Sequence, residues 1–325
     1  MRLKFLTFTC ALCWMIPAVS QTQSSAFGFL ELPRSAHEAA LGGRSVSVLE
    51  SDPSLIHSNP AVITEMTGRT IGLNAMTWLA GTTIAGAQFC DLIGERSDYA
   101  LSARYVSYGV SDETDPSGNE CGTFSARDIA LAGTYGYRLS DCWSGGVAFR
   151  MMYSKYSYYN SFAIAADLGL TYHSPADYFT AGISFTNIGR QTRPFEDIRE
   201  DVPFNITAGM SLRLAHAPVR ITLTLDHLNK WDSEDFFDPE GELSNGDILM
   251  RHMMFGADIL FTDQFYATLG YNVRNRAELV SGDKKGLAGF NIGAGMNLER
   301  IQFSLSFGKY QVSTSSLLLN FAINI

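Results

Sequence analysis

Apolar and polar residues alternate with a period of two from Arg69 to the last residue, Ile325. Between Phe162 and Tyr172, for example, even positions carry mostly large apolar side chains, whereas odd positions carry Ala, Asp, Gly and Thr. Successive side chains of a β-strand point to opposite faces of a sheet. The pattern therefore predicts strands that separate an apolar environment from one lined by small and polar groups.

Fourteen such strands are predicted, many of them about 10–12 residues long, which is about twice the usual globular length. Tilted strands of this length cover an apolar band of ~25 Å. A sheet in lipid must close on itself, because an open edge would leave backbone groups unpaired. The predicted fold is therefore all-β, a 14-stranded antiparallel transmembrane barrel of the outer-membrane type. Its predicted strands are 69–79, 81–90, 97–109, 126–138, 143–155, 161–173, 178–189, 202–214, 218–229, 250–261, 265–274, 287–298, 300–310 and 315–325.

The lengths of the connections between strands support a closed barrel and predict which end of it faces the periplasm. Tight turns alternate with longer loops near 110–125, 190–201, 230–249 and 275–286. Bacterial barrels have short periplasmic turns and long external loops. Both ends of the predicted barrel, residues 69–325, therefore face the periplasm, and residues 21–68 can reach the lumen. A soluble β-sandwich is the alternative, but it would have shorter strands and more charged outward positions.

Residues 21–68 have a mixed pattern and are predicted to form a plug with short helices. Two helical turns are predicted over 34–41, ended by the glycine pair 42–43. A short strand is predicted over 45–49. Asp-Pro-Ser at 52–54 favours the start of a second short helix, and Asn-Pro at 59–60 favours a turn that ends it.

The first twenty residues have the pattern of a cleaved signal peptide. Arg2 and Lys4 precede an apolar stretch over 5–19, and the small residues of 18–20 suit cleavage before Gln21. A transmembrane anchor is the alternative, but roughly 15 apolar residues fall short of the ~20 needed to span a bilayer.

Composition narrows the class of function. Charged residues make up 18% of the chain, against the ~25% typical of soluble domains. The net charge of −9 argues against nucleic-acid binding, because a phosphate backbone would be repelled. Many small inward residues leave room for a plug, and the charged inward residues are expected to pair with one another or with that plug. These charged residues are Arg104, Arg150, Asp167, Arg213, Arg220 and Asp258.

Motifs for chemistry are weak throughout. His37-Glu38 lacks the second histidine of a zinc-hydrolase helix, and Gly293-Ala294-Gly295 lacks the third glycine of a dinucleotide loop. No catalytic, cofactor or metal residues are therefore predicted, and the protein is not expected to be an enzyme. The acidic loop 231–249 is either a solvated surface loop or a weak Ca²⁺ site, although its spacing departs from the EF-hand pattern.

The N-terminal region resembles the PorQ family of the type IX secretion system of Bacteroidota. The resemblance lies in residues 27–43, then Asp-Pro-Ser-Leu at 52–55 and Asn-Pro-Ala at 59–61. The Asn-Pro-Ala element is similar to that of a wider group of fourteen-stranded barrels that includes PorV and the fatty-acid transporter FadL, as is Thr-Asn-Ile-Gly at 186–189. The positions that carry the family motif are Leu30, Leu32, Pro33, Ser35, Ala36, Ala39, Ala40, Leu41, Gly42, Gly43, Asn59, Pro60 and Ala61.

The resemblance implies a non-catalytic barrel in the outer membrane. It implies partners, namely PorZ, PorU and PorV, in an attachment complex that processes cargo proteins and joins them to anionic lipopolysaccharide. Loops 110–125 and 231–249 are then the expected docking surfaces. A FadL-like transporter of small hydrophobic molecules is the alternative, because one fold can support both roles. An apolar pocket between plug and lumen would favour transport, and a tightly packed lumen would favour docking.

Overall fold

Fourteen antiparallel strands close into one barrel, in which each strand pairs with its neighbours in the sequence and β1 pairs with β14. The computed structural model describes residues 27–78, 81–114, 120–176, 178–196, 199–236, 243–262, 264–278, 287–309 and 315–325. The predicted fold class and strand number are confirmed. The strands are β1 Thr70–Thr77, β2 Thr83–Leu92, β3 Ser97–Thr114, β4 Glu120–Arg138, β5 Trp143–Tyr156, β6 Tyr159–His173, β7 Phe179–Arg193, β8 Asn205–Arg213, β9 Val219–Leu225, β10 Met253–Leu260, β11 Phe265–Asn272, β12 Phe290–Asn297, β13 Ile301–Gly308 and β14 Ser316–Asn324.

The two faces of the wall differ as the alternating pattern predicts. On β13, Ile301, Leu305 and Phe307 are exposed on the outer surface, whereas Ser304 and Ser306 are buried against the interior. The outer surface therefore offers an apolar band to its surroundings, and the polar face of each strand turns inward. No helix in the described part of the chain is long and apolar enough to cross a membrane.

The connections depart from the predicted loops in several places. The chain over 110–125 was expected to be a loop, but β3 continues to Thr114 and β4 begins at Glu120, with a register shift between Ser107 and Val110. Polar side chains there suggested a loop, yet ladder hydrogen bonds use the backbone and need no apolar side chains. The connections after β9 and β11 contain short helices, α2 (Asn245–Arg251) and α3 (Val273–Glu278).

Residues 27–68 fold inside the barrel, which agrees with the predicted plug. A 3₁₀ turn at Gly28–Leu30 precedes helix α1 (Ala36–Ala40), and 3₁₀ turns follow at Leu55–His57 and Pro60–Glu65. Ser35 caps α1 by accepting a hydrogen bond from the amide of His37. The predicted signal peptide, 1–20, lies outside the described residues.

One prediction for the plug is wrong, and another is incomplete. No strand forms over 45–49, because Val46 directs its carbonyl oxygen to the side-chain amide of Asn59, at 3.0 Å, and not to a neighbouring strand. Asn59-Pro60 follows the end of the 3₁₀ turn Leu55–His57, as predicted, but it also begins the next helical turn. Asn59 accepts a hydrogen bond from the amide of Ala61, and Pro60 occupies the first position of the 3₁₀ turn Pro60–Glu65.

Candidate functional site: the plugged lumen

Inward-facing glycines let the plug approach the barrel wall. A Cβ atom added at Gly169 would overlap the side chain of Asn59, and one added at Gly270 would overlap the backbone of Ala40. The same holds for further pairs of wall and plug residues: Gly72 with Pro53, Gly136 with Ile63, Gly146 with Pro60, Gly182 with Val46, Gly256 with Leu41 and Gly293 with Ala40. The plug is therefore seated directly on the backbone of the wall.

Several positions of the PorQ-like motif, namely Ala40, Leu41, Asn59 and Pro60, take part in these wall contacts. Ala40 and Leu41 lie against β10, β11 and β12, where the paired residues Gly256 and Gly270 make room for them. Gly42 and Gly43, with φ of 120° and 132°, turn the chain after α1 in a conformation that other residues rarely adopt. Leu30, Ser35, Ala36, Ala39, Asn59, Pro60 and Ala61 are buried as well. The motif positions thus serve packing and turning, while Leu32 and Pro33 supply backbone carbonyls to Arg104.

A buried ionic network ties the plug to strands β9 and β10. His37 Nε2 lies 2.9 Å from Asp258 Oδ1, and His37 Nδ1 lies 3.0 Å from Glu50 Oε2. Arg220 donates to Glu50 Oε1 at 2.7 Å and to Asp258 Oδ2 at 2.8 Å. Thr268 donates to Asp258 Oδ1 at 2.6 Å. We call His37, Glu50, Arg220 and Asp258 the ionic network. The sequence indicated only the two members on the barrel wall, Arg220 and Asp258.

Protonation of the plug members follows from this geometry. Burial alone would lower the pKa of His37, but the charges of Glu50 and Asp258 outweigh burial and raise it to about 10. Burial would raise the pKa of Glu50, but the charges of His37 and Arg220 lower it to about 2. At neutral pH the network therefore contains two cations and two anions.

The ionic network predicts how stability depends on pH. Because its pKa is raised from 6.5 to about 10, His37 contributes stability fully below pH 6.5 and loses it as the pH rises through 10. The pKa of Glu50 is lowered from 4.5 to about 2. Glu50 therefore contributes its full stabilisation above pH 4.5 and loses it as the pH falls through 2. We expect the urea midpoint of unfolding to be highest between pH 4.5 and 6.5 and to fall progressively as the pH rises from about 6.5 to about 10. His37→Gln should abolish the alkaline fall, and a variant that keeps it would contradict this assignment.

A second charged cluster lies where β7 bulges. Asn187 has a φ of 62°, which asparagine tolerates better than most residues. The backbone amide of Asn187 donates to Asp167 Oδ1 at 2.6 Å, and its side-chain oxygen accepts a hydrogen bond from Arg150 at 2.8 Å. Arg150 also pairs with Asp167 at 2.5 Å. Arg150 thus pairs with Asp167, and Arg220 with Asp258, as the sequence predicts. Arg213 lies exposed at the end of β8.

An apolar row crosses the inner face of half the wall. Met76 on β1 pairs with Leu318 and with Ile84, and Ile84 pairs in turn with Val106. Val106 itself pairs with Asp128, so the row continues diagonally to Ala130 on β4. Ala130 pairs with Met152 on β5, and Met152 pairs with Ala163 on β6. We define the apolar row as Leu318, Met76, Ile84, Val106, Ala130, Met152 and Ala163, all of which are buried. Five buried plug side chains belong to the same apolar cluster, those of Phe27, Phe29, Leu30, Ala36 and Ala39.

The wall is less regular beside the end of this row. Backbone pairing between β7 and β8 ends at Thr186 and Asn205, and the described part of β7 beyond Thr186 pairs with β6 alone. Asn187 bridges the boundary by donating from its side chain to the carbonyl of Pro203 at 2.9 Å. Val202 is buried in the same apolar cluster as the row. We call this outer part of the β7–β8 boundary the seam.

A cavity of about 260 Å³ opens at the end of the barrel that carries the long connections. Leu32 and Trp78 line it and also pack against the apolar row. Its remaining lining is largely polar and includes Asp226, His227 and Arg274. The cavity, which we call the mouth cavity, therefore has a mixed lining, and Leu32 and Trp78 connect it to the apolar row.

Groups suited to metal chemistry do not cluster in the described part of the chain. There, no set of three or more His, Cys, Asp or Glu residues is placed to hold a metal ion. The acidic loop 231–249 lies partly outside the described residues, so its predicted alternatives stay open. His37 and Glu50 are the site residues that sequence reasoning missed; unpaired inward charges on β9 and β10 were the available signal.

Comparisons with solved structures show the fold. The chain matches a channel described as the TodX monoaromatic hydrocarbon channel deltaS2 mutant, with a TM-score of 0.56, 14% identity and coverage of 90% of this chain and 98% of that chain. The Pseudomonas putida toluene transporter TodX matches with a TM-score of 0.56, 14% identity, and coverage of 90% and 97%. The CymD monoaromatic hydrocarbon channel matches with a TM-score of 0.52, 14% identity, and coverage of 92% and 97%.

The fold is thus that of the TodX and CymD barrels. No family model matches the chain, and no curated protein matches it. The PorQ assignment made from residues 27–61 therefore stays a prediction.

Proposed function

We propose that this protein is an outer-membrane barrel that admits small hydrophobic molecules from the cell surface. The observation that carries the proposal is the apolar row together with its occupants, Phe27, Phe29 and Leu30. Apolar side chains inside a barrel lumen give a hydrophobic molecule a favourable place to lie, worth about 25 cal/mol for each Å² removed from water. The shared fold with hydrocarbon channels supports the same interpretation.

The surroundings of the row support a route with two ends. Leu32 and Trp78 join the row to the mouth cavity, so a molecule arriving from outside meets apolar surface in the cavity. At its other end the row reaches Ala163 and Val202 at the seam. Because the described seam is closed by side-chain contacts and not by a continuous ladder, it is the part of the wall that opens at least cost.

In the closed state the plug itself occupies this route. Phe27 and Phe29 are buried in the row, and a hydrophobic molecule must displace them to pass. The rest of the plug is held by the ionic network and the glycine contacts. Transport therefore needs movement of Phe27–Leu30, while Ala36 and Ala39 of the same cluster stay seated with the remainder of the plug.

The proposal predicts that Phe29→Ala accelerates uptake. Truncation of a buried phenylalanine typically destabilises the packed state by about 3–5 kcal/mol. Here the packed state is the closed state of the barrel. We expect the initial rate of labelled toluene uptake to rise several-fold in a Gram-negative host that lacks transporters of this class. The host expressing the wild-type protein should in turn take up toluene faster than the host alone.

Leu55→Ala is the matched control. Leu55 is a buried plug residue that packs with Leu41, Val48 and Val62, away from the row. Its truncation costs a comparable 2–5 kcal/mol but should leave uptake at the wild-type rate. Equal acceleration by both variants would mean that a loosened plug leaks, and would count against a specific role for the row.

Docking of surface partners is the second candidate. Trp231, Leu249 and Met250 are exposed on connections at the mouth, where a partner can reach them. The closely seated plug suits a barrel that stays shut, and the resemblance to the PorQ family suggests PorZ, PorU and PorV as partners. Recovery of these three proteins with the barrel from gently solubilised membranes would favour docking; recovery of the barrel alone would favour transport. Neither function needs catalytic residues, and the matched structures are named as channels and a transporter.

A further inference from the structure

A small polar cavity lies between the plug and the bulge of β7. Its volume is about 10 Å³, near the lower limit for one water-sized sphere. Arg34 and Arg44 of the plug line it, and Arg150 and Asn187 line it from the wall. All three arginines are buried.

Positive charge exceeds negative charge around this cavity. Arg150 pairs with Asp167, and Arg44 lies 3.8 Å from Asp226. Arg34 takes part in no ion pair with a described residue. Its guanidinium contacts His57 Nδ1 at 2.9 Å, and its Nη2 atom has no hydrogen-bond partner.

Nearby titratable groups do not restore the balance. Burial, and then the charge of Arg34, hold the pKa of His57 well below its ordinary value, so the imidazole is neutral and accepts from Arg34. Burial raises the pKa of Glu38 to about 8, so this carboxyl is protonated at pH 7. Glu31, the carboxylate on the cavity lining, pairs with His227 at 3.1 Å.

A fourth arginine adds to the excess. Arg104 is buried and donates to two backbone carbonyls, those of Leu32 at 3.0 Å and Pro33 at 3.4 Å. Neither acceptor carries a full charge. Burying an uncompensated charge is costly, and such groups are normally paired.

We propose that the cavity binds one chloride ion between Arg34 of the plug and Arg150 of the wall. A monatomic anion needs little more room than the one water-sized sphere that the cavity holds, whereas phosphate and sulfate are far too large. It also supplies the missing negative charge, and Arg34 Nη2 and Arg150 Nε are donors without partners. The ion links the plug to β5 and β7, independently of whether the barrel transports or docks.

Bromide substitution tests the site directly. Crystals of the full-length mature protein grown in sodium bromide should show an anomalous scattering peak in the cavity, within hydrogen-bond distance of Arg34. Bromide replaces chloride with little change in size or charge. A cavity that holds only water, without an anomalous peak, would overturn the proposal.

Thermal unfolding gives a second test in solution. Sodium chloride should raise the unfolding temperature by a few degrees, saturably, over sodium gluconate of equal ionic strength, because binding to the folded state stabilises it. Arg34→Gln should remove this difference. Arg69→Gln is the matched control, since Arg69 is an exposed residue paired with Asp91, and it should keep the difference. A chloride effect that survives in Arg34→Gln would contradict the site, and the bromide crystals decide the matter should that variant fail to fold.

Discussion

Replacing Gly270 by valine should drive the first helix of the plug away from the wall. A Cβ at this position would meet the carbonyl oxygen of Ala40 and lie 2.5 Å from the amide nitrogen of Gly42. Both are backbone atoms, which cannot rotate away as a side-chain end can. Overpacking of a core typically costs about 1–3 kcal/mol, and we expect this variant at or above the upper end.

Hydrogen exchange of the plug amides measures that effect. In Gly270→Val the amides over Ala39–Gly43 should lose protection while the ladder of β10 and β11 keeps it. Gly133→Val is the control, because Gly133 faces outward and an added Cβ has only Leu101 nearby, at 3.9 Å. Unchanged protection in Gly270→Val would show that the plug is not seated on the wall at this position.

Asp258→Leu is the second substitution from which we expect a large effect, here on how firmly the plug is held in the barrel. This change leaves Arg220 and His37 opposite the single carboxylate of Glu50, and an uncompensated buried charge costs about 3–5 kcal/mol. If proteolysis follows the population of the open form, cleavage of the plug should accelerate about 10²–10⁴-fold. The rate of cleavage by an added protease, on protein reconstituted in nanodiscs, measures it.

A paired change separates charge balance from simple loss of contacts. Arg220→Met together with Asp258→Leu removes one cation and one anion, and it leaves His37 paired with Glu50 at 3.0 Å. We expect the double variant to be cleaved at least about tenfold more slowly than Asp258→Leu alone. Strictly additive effects of the two changes would contradict the ionic network as a coupled unit.

Most of the barrel could be predicted from the sequence because each strand has to separate two unlike environments. The alternation along β6 and β13 follows directly from that requirement, and it yields strand number and order. Strand ends are less predictable. Beyond the apolar band, as in the extension of β3 to Thr114, the backbone ladder continues without any hydrophobic signal in the side chains.

The apolar row escaped sequence reasoning for a physical reason. Met151 and Met152 are adjacent on β5, and Leu317, Leu318 and Leu319 are consecutive on β14. Where both faces of a strand carry apolar residues, the period-two signal disappears, although Met152 and Leu318 are buried inside and their neighbours lie outside. The inward-facing side chains were therefore expected to be largely small and polar.

The plug was the least predictable part, because its conformation is set by the wall. Val46 and Asn59 adopt irregular backbone positions that fit against Gly182 and Gly169. His37 finds its partner Asp258 221 residues away. Local patterns within residues 27–68 carry no information about such contacts. Local signals mark only caps and turns, such as Ser35, the glycines at 42–43 and Asn59-Pro60.

Equilibrium binding of labelled toluene to the purified barrel in nanodiscs tests the central claim most directly. The account predicts one saturable site in the wild-type protein. The apparent affinity should increase several-fold in Phe29→Ala, since the plug competes less well for the row, and should stay unchanged in Leu55→Ala. Absence of saturable binding in both the wild type and Phe29→Ala would contradict a hydrophobic site in the lumen.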